Sequence, residues 1–168
     1  IKRKLNVYMQ YKYEVKLRNT NIETNPIDAL GISKLHRLRV HLTQKVNESI
    51  TLKSRAEFSL FDLQNETSRG SLFYQDFVWR PQGSSYQITA RYALFDTDNF
   101  DSRIYMYEND ILYEFSIPFY QYKGSRYYIK AKYRFSRLLG AEMRVSRTHL
   151  NNRDTSGSAG QTTNGPDK

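Results

Sequence analysis

Apolar and polar side chains alternate along most of the chain with a period of two residues. From Leu5 to Leu17 every odd position is apolar or aromatic, and the even positions are polar or charged apart from Tyr8. Successive side chains of a strand point to opposite faces, so this run predicts a strand with one apolar and one charged face. At about 3.3 Å per residue the strand would be roughly 40 Å long, which is unusually long.

The alternation recurs in later segments, and no segment has the 3.6-residue period of a helix. Residues 71–80 are the least regular, because aromatic side chains occur at both odd and even positions there. The pattern predicts an all-β, antiparallel up-and-down meander of about eight long amphipathic strands, forming part or all of a barrel. The predicted strands are residues 5–17, 37–46, 50–60, 71–80, 87–94, 111–119, 127–135 and 141–146.

The links between these strands leave the strand count open. Short turns are predicted at 46–50, 81–85 and 136–140, and longer polar links at 19–33, 61–70 and 96–103. Short and long links alternate through the first four strands, but the turn at 136–140 falls on the long-link side of an eight-strand count. Either a ninth strand at Arg103–Glu108 or one continuous strand from Arg103 to Phe119 would restore the order.

Domain organisation follows from composition. Residues 1–150 are predicted to form the barrel or a barrel fragment, and residues 151–168 a polar disordered tail or a truncated loop with almost nothing to bury. The sequence begins at Ile1 without a secretion signal, so we expect a piece of a longer parent chain. It contains no Cys, which excludes disulfides, thiolate catalysis and Cys-based metal sites.

Alternation alone does not decide whether the apolar faces meet in a soluble core or point into lipid. Three features favour lipid: the long strands, the alternating links, and aromatic residues near the predicted strand ends. The alternative is a soluble barrel or sandwich that binds an anionic or hydrophobic ligand inside. The aromatic residues expected at membrane interfaces are Tyr105, Tyr107, Phe119, Tyr120, Tyr122, Tyr127 and Tyr128.

Specific sequence blocks resemble a known class of protein. Residues 92–118 contain the block Tyr-Glu-Asn-Asp at 107–110, Gly-Ser-Arg-Tyr-Tyr follows at 124–128, and Arg-Asp-Thr-Ser-Gly stands at 153–157. Together they resemble the C-terminal region of large Bacteroidota outer-membrane β-barrels, which often carry a helix-hairpin-helix region upstream. The resemblance covers roughly residues 35–157. That upstream region is absent, and a polar tail replaces the expected aromatic last strand.

The resemblance implies a porin-like protein of the bacterial outer membrane, in contact with lipid and acting in transport or uptake or as a surface-exposed assembly component. A non-enzymatic role is expected, because no constellation of catalytic residues occurs in the sequence. No cofactor is expected, and no particular protein partner is indicated. The rest of the parent chain would complete the barrel.

The charged face is strongly basic, in keeping with a net charge of +9. By the alternation it carries thirteen Lys and Arg residues against Glu14, Glu57, Glu114 and Glu142. A basic lumen would attract anionic solutes or polymers, whereas cross-strand ion pairs are the alternative use of these charges. The candidate anion-binding residues are Arg37, Arg39, Arg55, Arg91, Lys130, Lys132 and Arg134.

Other chemistry has little support in the sequence. Residues Asp96–Asp101 resemble the start of a calcium loop, but Asp101 stands where an EF-hand requires Gly, so a polar loop is expected. The three His residues share no metal-binding spacing. Glu57 and Glu114 could be named as a carboxylate pair, although nothing in the sequence brings them together.

Overall fold

A computed structural model describes residues 4–20, 29–64, 66–114, 117–151, 155–158 and 161–164. Within these ranges no helix has the length and hydropathy needed to cross a bilayer. The strands are β1 Leu5–Thr20, β2 Ala29–Lys45, β3 Ile50–Leu63, β4 Glu66–Trp79, β5 Tyr86–Thr97, β6 Ile104–Tyr105, β7 Phe119–Tyr120, β8 Lys123–Arg134, β9 Gly140–Leu150, β10 Thr155–Ser158 and β11 Gln161–Asn164.

The seven long strands form one antiparallel sheet in the order β1-β2-β3-β4-β5-β8-β9. The all-β antiparallel meander predicted from the alternation is therefore confirmed, with seven long strands rather than eight. Each strand pairs with the next one along the chain except β5, which pairs with β8. Edge strands β1 and β9 bound the sheet, which is open in the described part of the chain. β10 and β11 pair with each other antiparallel within the expected polar tail.

The strand predicted at 111–119 is wrong, and so are both interpretations of residues Arg103–Phe119. In the described part of this segment, 103–114 and 117–119, the strands are the short β6 and β7, which pair with each other. At its tip the backbone amide of Glu114 donates to the carbonyl of Ile111 at 3.1 Å, and Tyr113 has a φ of 70°. Pro118 has no backbone amide hydrogen, so it is poorly suited to a strand that pairs with a neighbour on each side.

A count of seven long strands places all three predicted short turns at the same end of the sheet. The turns at residues 46–49, 80–85 and 135–139 now share one end of the sheet, which we call the short-turn end. The 25 residues 98–122 connect β5 to β8 at the opposite end. The predicted long link at 61–70 is also wrong, because β3 runs to Leu63 and β4 starts at Glu66.

The two faces of the sheet differ sharply in burial. The apolar face carries the alternating apolar positions of the long strands, and these side chains are exposed or only partly buried. The exposed fractions of five of them lie between 48 and 72 % in Met9, Phe58, Leu94, Ile129 and Val145. Aromatic residues of β4 divide between the faces, with Phe73 and Phe77 exposed on the apolar side and Tyr74 buried on the other.

On the opposite side, the charged face, the described residues of the β5–β8 link, 98–114 and 117–122, pack over part of the sheet, and we call them the cover segment. A small apolar cluster is buried between the two. It contains Leu72, Tyr74, Ala93 and Phe95 from the sheet and Ile104, Met106 and Tyr120 from the cover segment. Gly70 permits this close approach, because a Cβ there would lie 2.3 Å from the carbonyl oxygen of Ser102. The packed interior of the described structure therefore lies on the charged side of the sheet.

Most of the aromatic residues expected at the strand ends lie elsewhere. Tyr105, Tyr107, Phe119, Tyr120 and Tyr122 belong to the cover segment, and among them only Tyr122 adjoins the end of a long strand, β8. Tyr128 is buried on the charged face, and only Tyr127 lies exposed on the apolar face.

A different aromatic group lies on the apolar face at the short-turn end. Trp79 packs against Tyr86 with ring centroids 5.5 Å apart, and Tyr133 packs against Phe135 at 4.7 Å. Tyr86 and Tyr133 are direct cross-strand partners. The four rings therefore form a continuous aromatic rim along β4, β5 and β8.

Candidate functional site

Glu108 joins the cover segment to β8 and β9. Its carboxylate is fully buried and accepts hydrogen bonds from Arg126 at 2.7 and 2.9 Å and from the Tyr120 hydroxyl at 2.6 Å. Arg144 also contacts this carboxylate and pairs with Asp110 at 2.8 Å. Two acids of the cover segment thus hold two arginines of the sheet.

The groups around Glu108 explain why its carboxyl group is ionised. Burial alone would raise its pKa, but hydrogen bonds from Arg126 and Tyr120 and the charges of both arginines hold the pKa below its ordinary value. Burial, with the neighbouring Glu108 carboxylate, raises the pKa of Tyr120 far above its ordinary value. The phenol therefore remains a donor and the carboxylate remains an acceptor at neutral pH.

Arg91, a predicted anion-binding residue, is bound inside the fold. Its guanidinium makes a bidentate pair with Asp76 at 2.5 and 2.8 Å, and both side chains are almost fully buried. It also donates to the carbonyl oxygen of Tyr107 at 2.9 Å and stacks on Tyr74, 3.9 Å from the ring centroid. Such an arginine positions the cover segment and is unsuited to capturing a solute.

The predicted residues of β2 and β3 are also engaged within the structure. Arg39 makes a bidentate pair with the buried Glu57 at 2.8 and 3.1 Å, and Arg55 lies 4.0 Å from the same carboxylate. Arg37 donates to the carbonyl of Arg103 in the cover segment at 3.3 Å. For Arg39 and Arg91 the cross-strand pairing considered as the alternative describes the structure.

The other three predicted residues, Lys130, Lys132 and Arg134, line one cavity of about 410 Å³ on the charged face at the short-turn end. Lys53 of β3 and Arg80 of the β4–β5 turn line the same space, which we call the basic cavity. The structure thus divides the predicted anion-binding set into four arginines that contact groups within the fold and three cations around an open space.

Few acids offset the charge of the basic cavity. Glu142 pairs with Lys130 at 2.9 Å and with Lys132 at 2.7 Å, so one carboxylate serves two ammonium groups. Lys130 also contacts the carbonyl oxygen of Asp110. For Lys53, Arg80 and Arg134, the described residues supply no carboxylate within 4 Å.

The acids that bind several arginines of the sheet do not belong to the charged face as the sequence predicts it. Asp76 lies in the irregular segment 71–80, and Asp101, Glu108 and Asp110 lie in the cover segment. The block Tyr-Glu-Asn-Asp at 107–110 was visible in the sequence, but its acids could not be matched with Arg126 and Arg144 without the fold. Glu114, counted with the sheet, instead lies exposed in the turn at 111–114.

The acidic loop at 96–101 uses its oxygens within the protein. Asp98 accepts from the backbone amide of Arg69 at 2.8 Å, Asp101 pairs with Arg18 at 2.6 Å, and Asp96 pairs with Lys123 at 2.9 Å. In the described part of the chain no three His, Cys, Asp or Glu side chains are grouped as a metal site would require.

Comparison with known proteins found no matching family model, curated protein or solved structure.

Proposed function

We propose that this chain is a non-enzymatic wall segment of an outer-membrane β-barrel, with the apolar face against lipid and the charged face lining a lumen. The observation that carries the proposal is the inverted burial: large apolar side chains are exposed, while Glu57, Asp76, Arg91 and Glu108 are buried. Soluble sandwiches and barrels bury their apolar faces inside, whereas membrane barrels turn them toward lipid.

The path of the apolar band across the sheet supports the same orientation. Cross-strand partners lead from Met9 through Val40, Ala56, Phe73, Leu94 and Ser125 to His149. Met9 lies two residues before the middle of the apolar run Leu5–Leu17, whereas His149 lies six residues beyond the middle of Ala141–Val145. The band therefore shifts by eight residues over six strand pairings.

This shift gives the strand tilt directly. At about 3.3 Å per residue and about 4.8 Å between strands, the strands are inclined by roughly 40° to a line perpendicular to the band. Strands of outer-membrane barrels tilt by about 35–45°. Apolar runs of 9 to 13 residues, such as 127–135 and 5–17, then span roughly 20–30 Å across the band, comparable with the apolar belt of about 25 Å in such barrels.

The aromatic rim fits the edge of such a belt. Trp79, Tyr86, Tyr133 and Phe135 lie at the short-turn end of the apolar face, and aromatic side chains concentrate at membrane–water interfaces. Short turns mark the periplasmic side of outer-membrane barrels. The rim would therefore lie at the periplasmic interface.

A soluble barrel or sandwich is the second candidate. It would gain support from complete burial of the apolar face of β2, but Leu38 is exposed and Val40 and Leu42 are only partly buried. The cluster under the cover segment is the one feature that favours this alternative. It is small beside the exposed apolar face, so the membrane proposal is preferred.

Depth-resolved quenching of Trp79, the single tryptophan, tests the proposal. The chain is refolded into phosphatidylcholine vesicles whose lipids carry bromine either high or low on the acyl chain. We expect stronger quenching from bromines near the headgroups, because the aromatic rim lies at the interface. A second protein, with Trp79→Phe and Phe58→Trp, moves the probe into the apolar band and should be quenched best by deep bromines.

A matched protein with Trp79→Phe and Gln87→Trp places the probe on the charged face and should be quenched weakly by both lipids. Circular dichroism of each variant establishes that the strands form. Equal, weak quenching at positions 58, 79 and 87 in a folded chain would contradict the proposal and favour the soluble alternative.

A further inference from the structure

The basic cavity holds positive charge that the fold does not neutralise. Lys53, Arg80 and Arg134 converge on it from three separate parts of the chain: β3, the β4–β5 turn and the end of β8. Like charges so placed repel one another, and the described residues give these three no acidic partner. An anion in the cavity would relieve this repulsion.

The neighbouring acids are already committed. Glu142 is shared between Lys130 and Lys132, and Asp110 pairs with Arg144. Moving either acid toward the three unmatched cations would break an existing pair. Among the described residues no acid is left to balance these three cations, so an anion from solution could do so.

We infer that the basic cavity binds a small soluble anion carrying two phosphate groups. A phosphate monoester carries about −1.5 to −2 charges at pH 7, so two of them match three unpaired cations. The guanidinium groups of Arg80 and Arg134 are suited to bidentate contacts with phosphate oxygens. One phosphate alone would leave at least one of the three cations unmatched.

Size and lining are consistent with a phosphorylated sugar. The volume of about 410 Å³ is within the range of small-molecule sites. Hydroxyl and amide side chains occur between the cations, among them Ser84, Gln87, Thr89 and Asn109. These groups both donate and accept hydrogen bonds, as the hydroxyls of a saccharide require.

This inference deepens the proposed lumen, because it names a solute class for the charged face. Only the role of the solute in transport rests on the proposed function. Binding itself depends on the arrangement of the cavity and not on what covers the apolar face.

Isothermal titration of the chain refolded in zwitterionic micelles, at fixed ionic strength, tests the inference. The probes are glucose 1,6-bisphosphate, pyrophosphate and glucose 6-phosphate. We expect saturable binding of one bisphosphate per chain, at least about tenfold tighter than the monophosphate. Tighter binding of pyrophosphate than of the sugar bisphosphate would identify adjacent phosphates as the preferred ligand.

The matched variants are Lys53→Gln with Arg134→Gln, and Arg137→Gln alone. Arg137 lies in the turn at the same end of the sheet but does not line the basic cavity. We expect the double variant to bind the bisphosphate at least about tenfold more weakly and Arg137→Gln to bind it unchanged. Circular dichroism establishes that both variants remain folded.

Unchanged affinity in the folded double variant, or an equal loss in Arg137→Gln, would overturn the inference. The outcome is separable from that of the quenching experiment. A chain that binds the bisphosphate but shows no lipid quenching retains the site and loses the membrane proposal. A chain that inserts into lipid without binding retains the membrane proposal and loses the site.

Discussion

Replacing Glu108 by Gln should release the cover segment from the sheet. The substitution keeps the shape of the side chain and removes its charge, so Arg126 and Arg144 lose the carboxylate that both contact. Removing one partner of a buried ion pair costs about 3–5 kcal/mol. Since about 1.4 kcal/mol is a factor of ten, opening of the cover segment should increase by roughly a hundred- to several-thousand-fold.

Hydrogen exchange of the folded chain measures this opening directly. The informative amides are those of Met106, which donates to Pro118 at 3.1 Å, and Thr97, which donates to Tyr122 at 2.9 Å. Amides in the β2–β3 and β3–β4 ladders should keep their protection, because those strands do not contact Glu108. Glu114→Gln, in the exposed turn of the same segment, is the control and should leave all protection unchanged.

Acid should mimic the substitution. Because the pKa of Glu108 is lowered on folding, its contribution to docking is complete above its ordinary pKa of 4.5 and is lost as the pH falls through the lowered value. Exchange of the cover segment, corrected for intrinsic rates, should therefore not change between pH 7 and 5 and should accelerate in stronger acid. Loss of protection spread equally over the whole sheet, or less than a tenfold change in Glu108→Gln, would refute this reasoning.

Three further substitutions test other parts of the fold. Gly70→Ala should push Ser102 away, since the new Cβ would lie 2.3 Å from its carbonyl oxygen, and proteolysis within residues 98–122 should become faster at unchanged circular dichroism. Asp76→Asn leaves Arg91 buried without its charge partner and should lower the free energy of unfolding by about 3–5 kcal/mol, measured by urea titration; an unchanged midpoint would contradict the assigned pair. Ile129→Arg should cost about 2–4 kcal/mol for folding into lipid vesicles if the residue lies near the middle of the bilayer, and no such cost is expected if this face meets water.

Long-range order in the sheet could be predicted from the sequence because alternation is a local property. The alternation in Leu5–Leu17 predicts which side chains share a face, and the continuous pairing of β1 with β2 agrees with that assignment. Antiparallel pairing of neighbours follows from short turns such as 46–49. The antiparallel meander could therefore be predicted from the sequence, whereas the strand at 111–119 and the long link at 61–70 were predicted wrongly.

The cover segment could not be predicted, because a period of two indicates an extended chain and not a paired one. Ile104, Met106 and Glu108 alternate with Tyr105 and Tyr107 as a strand would, and their burial alternates in the same way. The segment nevertheless lies on a face of the sheet instead of at its edge. Only the tertiary arrangement reveals this, since the partners of these side chains lie on distant strands.

The same limit applies to the charges, and it explains where binding is expected. Three acids of the cover segment neutralise arginines of the sheet beneath it: Asp101 pairs with Arg18, Glu108 with Arg126, and Asp110 with Arg144. Asp110 is the acid of the cover segment that lines the basic cavity. In the described part of the chain, the basic residues that lie closer to the short-turn end than Asp110 have no acid of the cover segment opposite them. The excess charge seen in the sequence is therefore partly offset by the acids of the cover segment, and three cations without an acidic partner among the described residues meet at the basic cavity.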